Sequence, residues 1–350
     1  MQGNGMDNMQ HARVSVRRLP RRMALPLILF GATAALMAAC GDSKNAPVSA
    51  ITVEGAASRA SNEAPPAVRV ALIMKTLTNP FFVEMEHGAR RAQNEMHIDL
   101  QVKTATQETS IEQQIQLVEN EIKADTKAIV IAPGDSTRLV PVLKQAQDAG
   151  IRIVNIDNRL NADAMAAAGM KPVPFISVDN EKGAYLAARF IADQVRKPTE
   201  AVILEGIRSA DNAQQRRRGA ERGFQSSPSI RIVGQETANW KIDEAYAVTG
   251  SLFKRHPHIG VVFCANDMMA IGAIKYLQET GRAKVLVAGF DALDEAKTAI
   301  RAKQLAVTVD QQAAEQGYLG VKTAMQLLAG QAVPMDIQVD TKLITEQSLK

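Results

Sequence analysis

Cysteine is nearly absent from this 350-residue chain, with Cys40 and Cys264 its whole complement. Two thiols cannot build a disulfide scaffold or a four-cysteine metal site, so the fold must rest on a hydrophobic core. Histidine is scarce too, and His11, His87, His97, His256 and His258 fall in no metal-ligand spacing with carboxylates or thiols. No serine sits in a nucleophile-elbow pattern. Ala132-Pro133-Gly134-Asp135-Ser136 has no lysine at phosphate-loop spacing. Each of these gaps removes an enzymatic reading. Excess charge is also lacking over most of the chain: the net +4 belongs entirely to residues 1–39, where Arg13, Arg17, Arg18, Arg21 and Arg22 face Asp7 alone. Everything from Cys40 onward sums to zero, which argues against a nucleic-acid partner. Long hydrophobic runs are missing as well. The apolar stretch from Ala24 to Ala39 is broken by Pro26 and Gly31 and is too short for a stable membrane span.

What is present begins with that stretch. An arginine-rich head followed by a short apolar run reads as a secretory signal peptide over residues 1–39. Met37-Ala38-Ala39-Cys40 resembles a bacterial lipoprotein cleavage site, which implies lipidation of Cys40; Met37 stands where leucine is usual, and ordinary cleavage further along is the alternative. Residues 40–66, rich in Ala, Ser, Asn and Pro without periodicity, read as a lipidated flexible tether. With Cys40 acylated, no disulfide is expected. Cys264, beside Val261-Val262-Phe263, reads as a small buried hydrophobe.

From Val68 onward, short apolar runs alternate with amphipathic segments. Strands are expected at 68–74, 98–102, 128–131, 151–156 and 175–178, with helices at 80–95, 111–122 and 138–149 between them. Ser110 and Gln113 suggest a capping box on the second helix. A second series follows Asp179: helices at 183–195, 213–225, 242–255 and 268–279 alternate with strands at 201–204, 230–235, 259–263 and 285–288. Strand and helix in alternation predict an α/β fold with doubly wound parallel sheets, and two similar series predict two similar lobes.

The chain is organised around Lys75-Thr76-Leu77-Thr78-Asn79-Pro80-Phe81-Phe82, at the carboxyl end of the first strand. Asn79 fits a helix N-cap and Pro80 the first helical position. Two aromatics therefore stand at a strand-to-helix crevice, where open parallel sheets bind ligands; one of them is expected to serve the core. A strand, a polar residue, then T-L-x-N-P-F-F and a helix with Gly88-Ala89 resembles the ribose-type periplasmic binding proteins, which share the type I two-lobed sugar-binding fold. The resemblance continues in matching order to the C-terminus.

That resemblance implies two lobes joined by a three-stranded hinge, residues 67–178 with 312–340 and residues 179–311 with 341–350. The helix expected at 314–329 would return to the first lobe. It also implies ligand residues. Asp157 matches a binding carboxylate; Asn158 and Arg159 follow it, with the arginine one position later than the family places it. Arg216 lies ten residues after Gly206 and three before Gly219, and Arg217 and Arg218 read as a solvated helix face. Trp240 resembles a stacking aromatic or is a surface wedge. Asn266 matches a ligand residue, with Asp267 a candidate cap. Asp291 matches a hydroxyl-binding carboxylate or caps the helix from Leu293, and Gln311 lies at a lobe crossing. Asn79, Phe81 and Phe82 complete the set. Lys75 departs from the family, which has a small polar residue there; its ammonium can meet a ligand hydroxyl, a ligand anion, Asp157 or Asp291, or face solvent.

The implied function is an extracytoplasmic, lipid-anchored and periplasmic solute-binding protein, a monomer without cofactor or metal. It would capture a monosaccharide or related polyol by hinge closure and present it to an ABC permease. A ligand sensor signalling to a membrane kinase or chemoreceptor is the alternative at this stage.

Overall fold

The computed structural model describes residues 67–350. Its first strand, β1 (Arg69–Met74), shows why the sequence folds as it does. Val70, Leu72 and Met74 enter one hydrophobic cluster while Ala71 and Ile73 enter another, because successive strand side chains point to opposite faces. Both faces of the sheet must therefore be covered. α1 (Pro80–Met96) begins where Asn79 Oδ1 accepts a hydrogen bond from Phe81 N (3.0 Å) and ends at His97, whose φ of 51° turns the chain left-handed.

β2 (Asp99–Thr104), α2 (Ile111–Lys123), β3 (Ala128–Ile131), α3 (Val140–Asp148), β4 (Arg152–Ile156), α4 (Ala162–Ala167) and β5 (Phe175–Val178) continue the series. Most bounds fall within three residues of expectation. The capping box does not form: the Ser110 side chain makes no capping bond, and Gln113 Oε1 instead accepts from Thr106 N and Thr106 Oγ1, both at 2.9 Å. α3 starts two residues late because Asp135 Oδ1 accepts from Thr137 N and Arg138 N (2.7 and 2.8 Å), holding them in a turn.

The second series runs α5 (Asn180–Ala192), β6 (Thr199–Glu205), α6 (Asp211–Gln225), β7 (Ile230–Thr237), α7 (Ile242–Arg255), β8 (Ile259–Cys264), α8 (Asp267–Glu279), β9 (Leu286–Ala288), α9 (Asp294–Arg301) and β10 (Thr308–Asp310). α10 (Ala313–Leu328), β11 (Asp336–Val339) and β12 (Lys342–Ile344) follow. The six-stranded sheet has the order β2-β1-β3-β4-β5-β11 and is parallel throughout. A four-stranded parallel sheet has the order β7-β6-β8-β9, while β10 and β12 pair antiparallel.

In both sheets the first strand of the series lies inside the second, so the order reverses beside β1 and again beside β6. Crevices open at such reversals, outside the carboxyl ends of the strands. The chain leaves the six-stranded sheet after β5, returns after β10 and leaves again between β11 and β12. On return, α10 packs on α1 and on β3 and β4. The helices touch backbone to backbone: a Cβ on Gly88 would stand 1.7 Å from Ala314 O, and one on Gly317 would stand 2.0 Å from Met85 O. Cys264 is a buried free thiol at the end of β8.

Candidate functional site

Groups from the carboxyl ends of both sheets converge on one small hollow of about 20 Å³. Ten of the twelve candidate ligand residues line it: Lys75, Asn79, Phe81, Phe82, Asp157, Arg216, Trp240, Asn266, Asp291 and Gln311. A roomier hollow of about 340 Å³ beside Phe190, Ile300 and Leu305 lies away from these groups and gathers no comparable set of charged side chains. Convergent polar groups with aromatic walls make the smaller space the candidate site.

From the six-stranded sheet, Lys75 follows β1 directly and is buried rather than facing solvent. Its Nζ lies 2.9 Å from Asp157 Oδ2 and 4.0 Å from Glu108 Oε2. It also stands 5.5 Å from the centre of the Phe82 ring, within cation–π reach. Phe81 and Phe82 are both buried and meet edge to face with centroids 5.0 Å apart, so both serve the site and the core together. Asn79 has two roles, because its oxygen caps α1 while its Nδ2 donates to Glu108 Oε1 (3.0 Å).

From the other sheet, Arg216 on α6 is almost wholly buried and spends its guanidinium on fixed acceptors. Nε donates to Asn180 Oδ1 (2.8 Å), Nη1 to Ala265 O (2.8 Å) and Nη2 to Gln311 Oε1 (3.1 Å). The plane lies 3.8 Å from the centre of the Phe290 ring. Gln311 Nε2 in turn donates to Asp291 Oδ1 (2.6 Å), and Arg216 Nη1 stands 3.7 Å from the same oxygen. Asp291 therefore does not cap a helix; α9 starts three residues later. Asn266, not Asp267, caps α8, accepting from Met269 N at 2.9 Å. The Asp267 carboxylate lies behind the site, accepting from Thr308 Oγ1 (2.7 Å) and Leu293 N (2.9 Å).

Trp240 is buried rather than a surface wedge. Its ring lies so close to the β6–α6 connection that a Cβ on Gly206 would fall 2.0 Å from Cζ2. The buried atoms Trp240 Nε1 and Asn212 Oδ1 make no hydrogen bond within the protein, and Asp157 Oδ2 has only its ion pair with Lys75. Buried polar atoms are normally satisfied, so two orphans lining one hollow indicate a polar ligand. Asp157, Trp240 and Asp291 have φ of 61°, 68° and 126°. Such left-handed conformations are costly away from glycine and cluster where side chains must be aimed.

Burial governs the titration of the site. It raises Glu108 against the pull of Lys75, raises Asp291 well above the carboxylate range against the pull of Arg216, and lowers Arg216, which Asp291 and Asp157 oppose.

Two candidates stand elsewhere. Arg159 is half exposed, paired with Asp336 and stacked 4.0 Å over the Phe175 ring. Asn158 is buried but turned to Pro133 O, Ser136 Oγ and Asn212 N. Two lining residues escaped the sequence reading. Asn212 is four residues before Arg216 on the same face of α6, a spacing that could have revealed it. Glu108 sits in the loop after β2, four residues past the strand, with no local signal.

Among the described residues no group of His, Cys, Asp and Glu is arranged to hold a metal, and no helix is long and apolar enough to cross a membrane. Residues 70–332 match the family described as "Periplasmic binding protein domain". The chain belongs to this family. It is 40% identical over 273 residues to the D-ribose/D-allose-binding protein of Pseudomonas aeruginosa, covering 77% of this chain and 85% of that one. It is 31% identical to the D-allose-binding periplasmic protein of Escherichia coli, over 79% of this chain and 90% of the relative. Among solved structures, an ABC transporter periplasmic solute-binding protein from Actinobacillus succinogenes with bound D-allose superposes with a TM-score of 0.76 at 37% identity. That match covers 81% of this chain and 99% of that one.

Proposed function

We propose that this periplasmic binding protein captures a neutral monosaccharide, of the D-allose or D-ribose kind, and delivers it to an ABC permease. The observation that carries the reading is the pairing of charges within the site. Lys75 answers Asp157 and Glu108, Arg216 answers Asp291, and the aromatic rings of Phe82 and Trp240 stand beside them. Paired charges with planar donors and acceptors suit vicinal hydroxyls, and ring faces suit the C–H faces of a sugar. A sugar acid would bring a negative charge to a site whose two cations already have carboxyl partners of their own.

Binding works by hinge closure. The lobes are residues 67–178 with 312–340 and residues 179–311 with 341–350, a division supported by the pairing of β11 with β5 and of β12 with β10. The sugar favours the closed arrangement because only there do both sets of groups reach it. The protein acts as a monomer, lipidated at Cys40 after removal of residues 1–39 and carried on the tether 40–66; these segments lie outside the described residues.

Isothermal titration with D-allose, D-ribose and D-allonate tests the reading. Binding of a neutral sugar, with stabilisation of about 2.7 kcal/mol at 100 times its dissociation constant, is expected. Binding of the acid in preference to both sugars would overturn it.

A further inference from the structure

The start of α6 is capped by residues from the opposite sheet. Its own N-cap position is Ala210, which has no side-chain oxygen although its φ of −93° and ψ of 128° are those of a capping residue. The first N–H groups of a helix have no partner within it. Here Asp211 N donates to Ser136 Oγ (3.0 Å) and Asn212 N donates to Asn158 Oδ1 (3.2 Å). Ser136 N donates back to Ser209 O at 3.2 Å. Asn158 Nδ2 holds the pair together through Ser136 Oγ (3.2 Å) and Pro133 O (3.0 Å). Ser136 and Asn158 stand in the connections after β3 and β4, whereas α6 belongs to the four-stranded sheet. Both are buried, and neither lines the hollow.

We propose that Ser136 and Asn158 are positioning residues for the sugar site, a split helix cap that is complete only when the two lobes meet. α6 carries Asn212 and Arg216 into the hollow, so completing its first turn seats both groups as the lobes close. The contact adds to the closed state without touching sugar. Apparent affinity scales with the fraction of protein in the competent state, so losing the cap weakens binding by loosening closure. This inference rests on the hinge reading given above.

Two variants test it from opposite sides. Ser136→Ala removes the cap in trans, and Ala210→Ser supplies an oxygen in cis, so that α6 no longer needs the other lobe. Each is expected to weaken D-allose binding about tenfold, which corresponds to about 1.4 kcal/mol, through faster dissociation. In the sugar-free protein Ala210→Ser should raise Tm, because it satisfies N–H groups that opening exposes, and it should raise it equally with and without Ser136→Ala. The melting experiment needs no sugar, so it remains readable if D-allose does not bind. No change of Tm in Ala210→Ser, or a rise only in the presence of Ser136→Ala, would mean that the cap is permanent and would overturn the proposal. So would sugar affinities equal to wild type in both variants.

Discussion

Lys75 Nζ lies 2.9 Å from Asp157 Oδ2, and both side chains are all but sealed from solvent, at 3% and 2% exposure. The pair joins the ends of two strands of the six-stranded sheet, β1 and β4, that have β3 between them. Arg216 and Asp291 form its counterpart across the hollow. Each half of the fold thus contributes one cation with its own carboxyl partners, Asp157 and Glu108 for Lys75 and Asp291 for Arg216, and the ligand meets a surface whose charges are already largely answered.

Removing Lys75 should therefore cost stability before it alters specificity. Lys75→Met leaves Asp157 buried without its partner and strips Glu108 of the charge that opposes its burial. A loss of about 3 kcal/mol in urea unfolding is expected. Adding Glu108→Gln should recover part of it. Wild-type stability in Lys75→Met would show that the pair is not formed in solution.

Trp240 should report the ligand and hold it. Sugar addition is expected to change the fluorescence of this single tryptophan. Trp240→Ala should weaken binding about thirtyfold or more while the circular dichroism of the folded protein is retained. Unaltered affinity would return the ring to a packing role.

The anchor is tested in cells. Cys40→Ser is expected to move the protein from the membrane fraction to the soluble one. Mass spectrometry that finds an unmodified Cys40, or cleavage beyond it, would count against lipidation.

Asp267 should give stability a slope in mild acid. Burial pushes its carboxyl up to about 6, against the hydrogen bonds from Thr308 and Leu293 that pull it down. Between its ordinary 3.8 and that value the folded chain keeps a proton that the unfolded chain has released. Stability from this group is then fully present at the acid end of the window and is lost as pH rises towards 6. Glu108 and Asp291, also raised by burial, act with the same sign. Urea melts at pH 4.5 and pH 7 should differ by about 2 kcal/mol less in Asp267→Asn than in wild type. An identical difference in the two proteins would refute the assignment.

The fold was legible because its signals are local and repeated. The buried run of β1, the Asn79-Pro80 start of α1 and the helical period of α7 each follow from spacing alone, and α7 matched to the residue. What stayed hidden depends on the partner rather than on the segment. β12 is three residues long and exists because β10 lies beside it. The capping box failed because Thr106, on the far side of a loop, competes for the Gln113 oxygen. At the hollow, strand ends point to Lys75, Asp157, Asn266 and Asp291, which all line it. Glu108 escapes because a loop places it, and Asn158 stands off the hollow because sequence does not say which way a buried amide turns.

The return of α10 and β11 to the first sheet bears on how the protein is made. β5 has β4 on one side, and on the other waits for β11, residues 336–339, to emerge. The faces of β3 and β4 that α10 covers wait for residues 313–328. A nascent chain issuing N-terminus first therefore holds its first sheet with one edge unpaired and part of one face bare until synthesis is nearly finished. Such long-range pairing slows folding and keeps the early chain pliable.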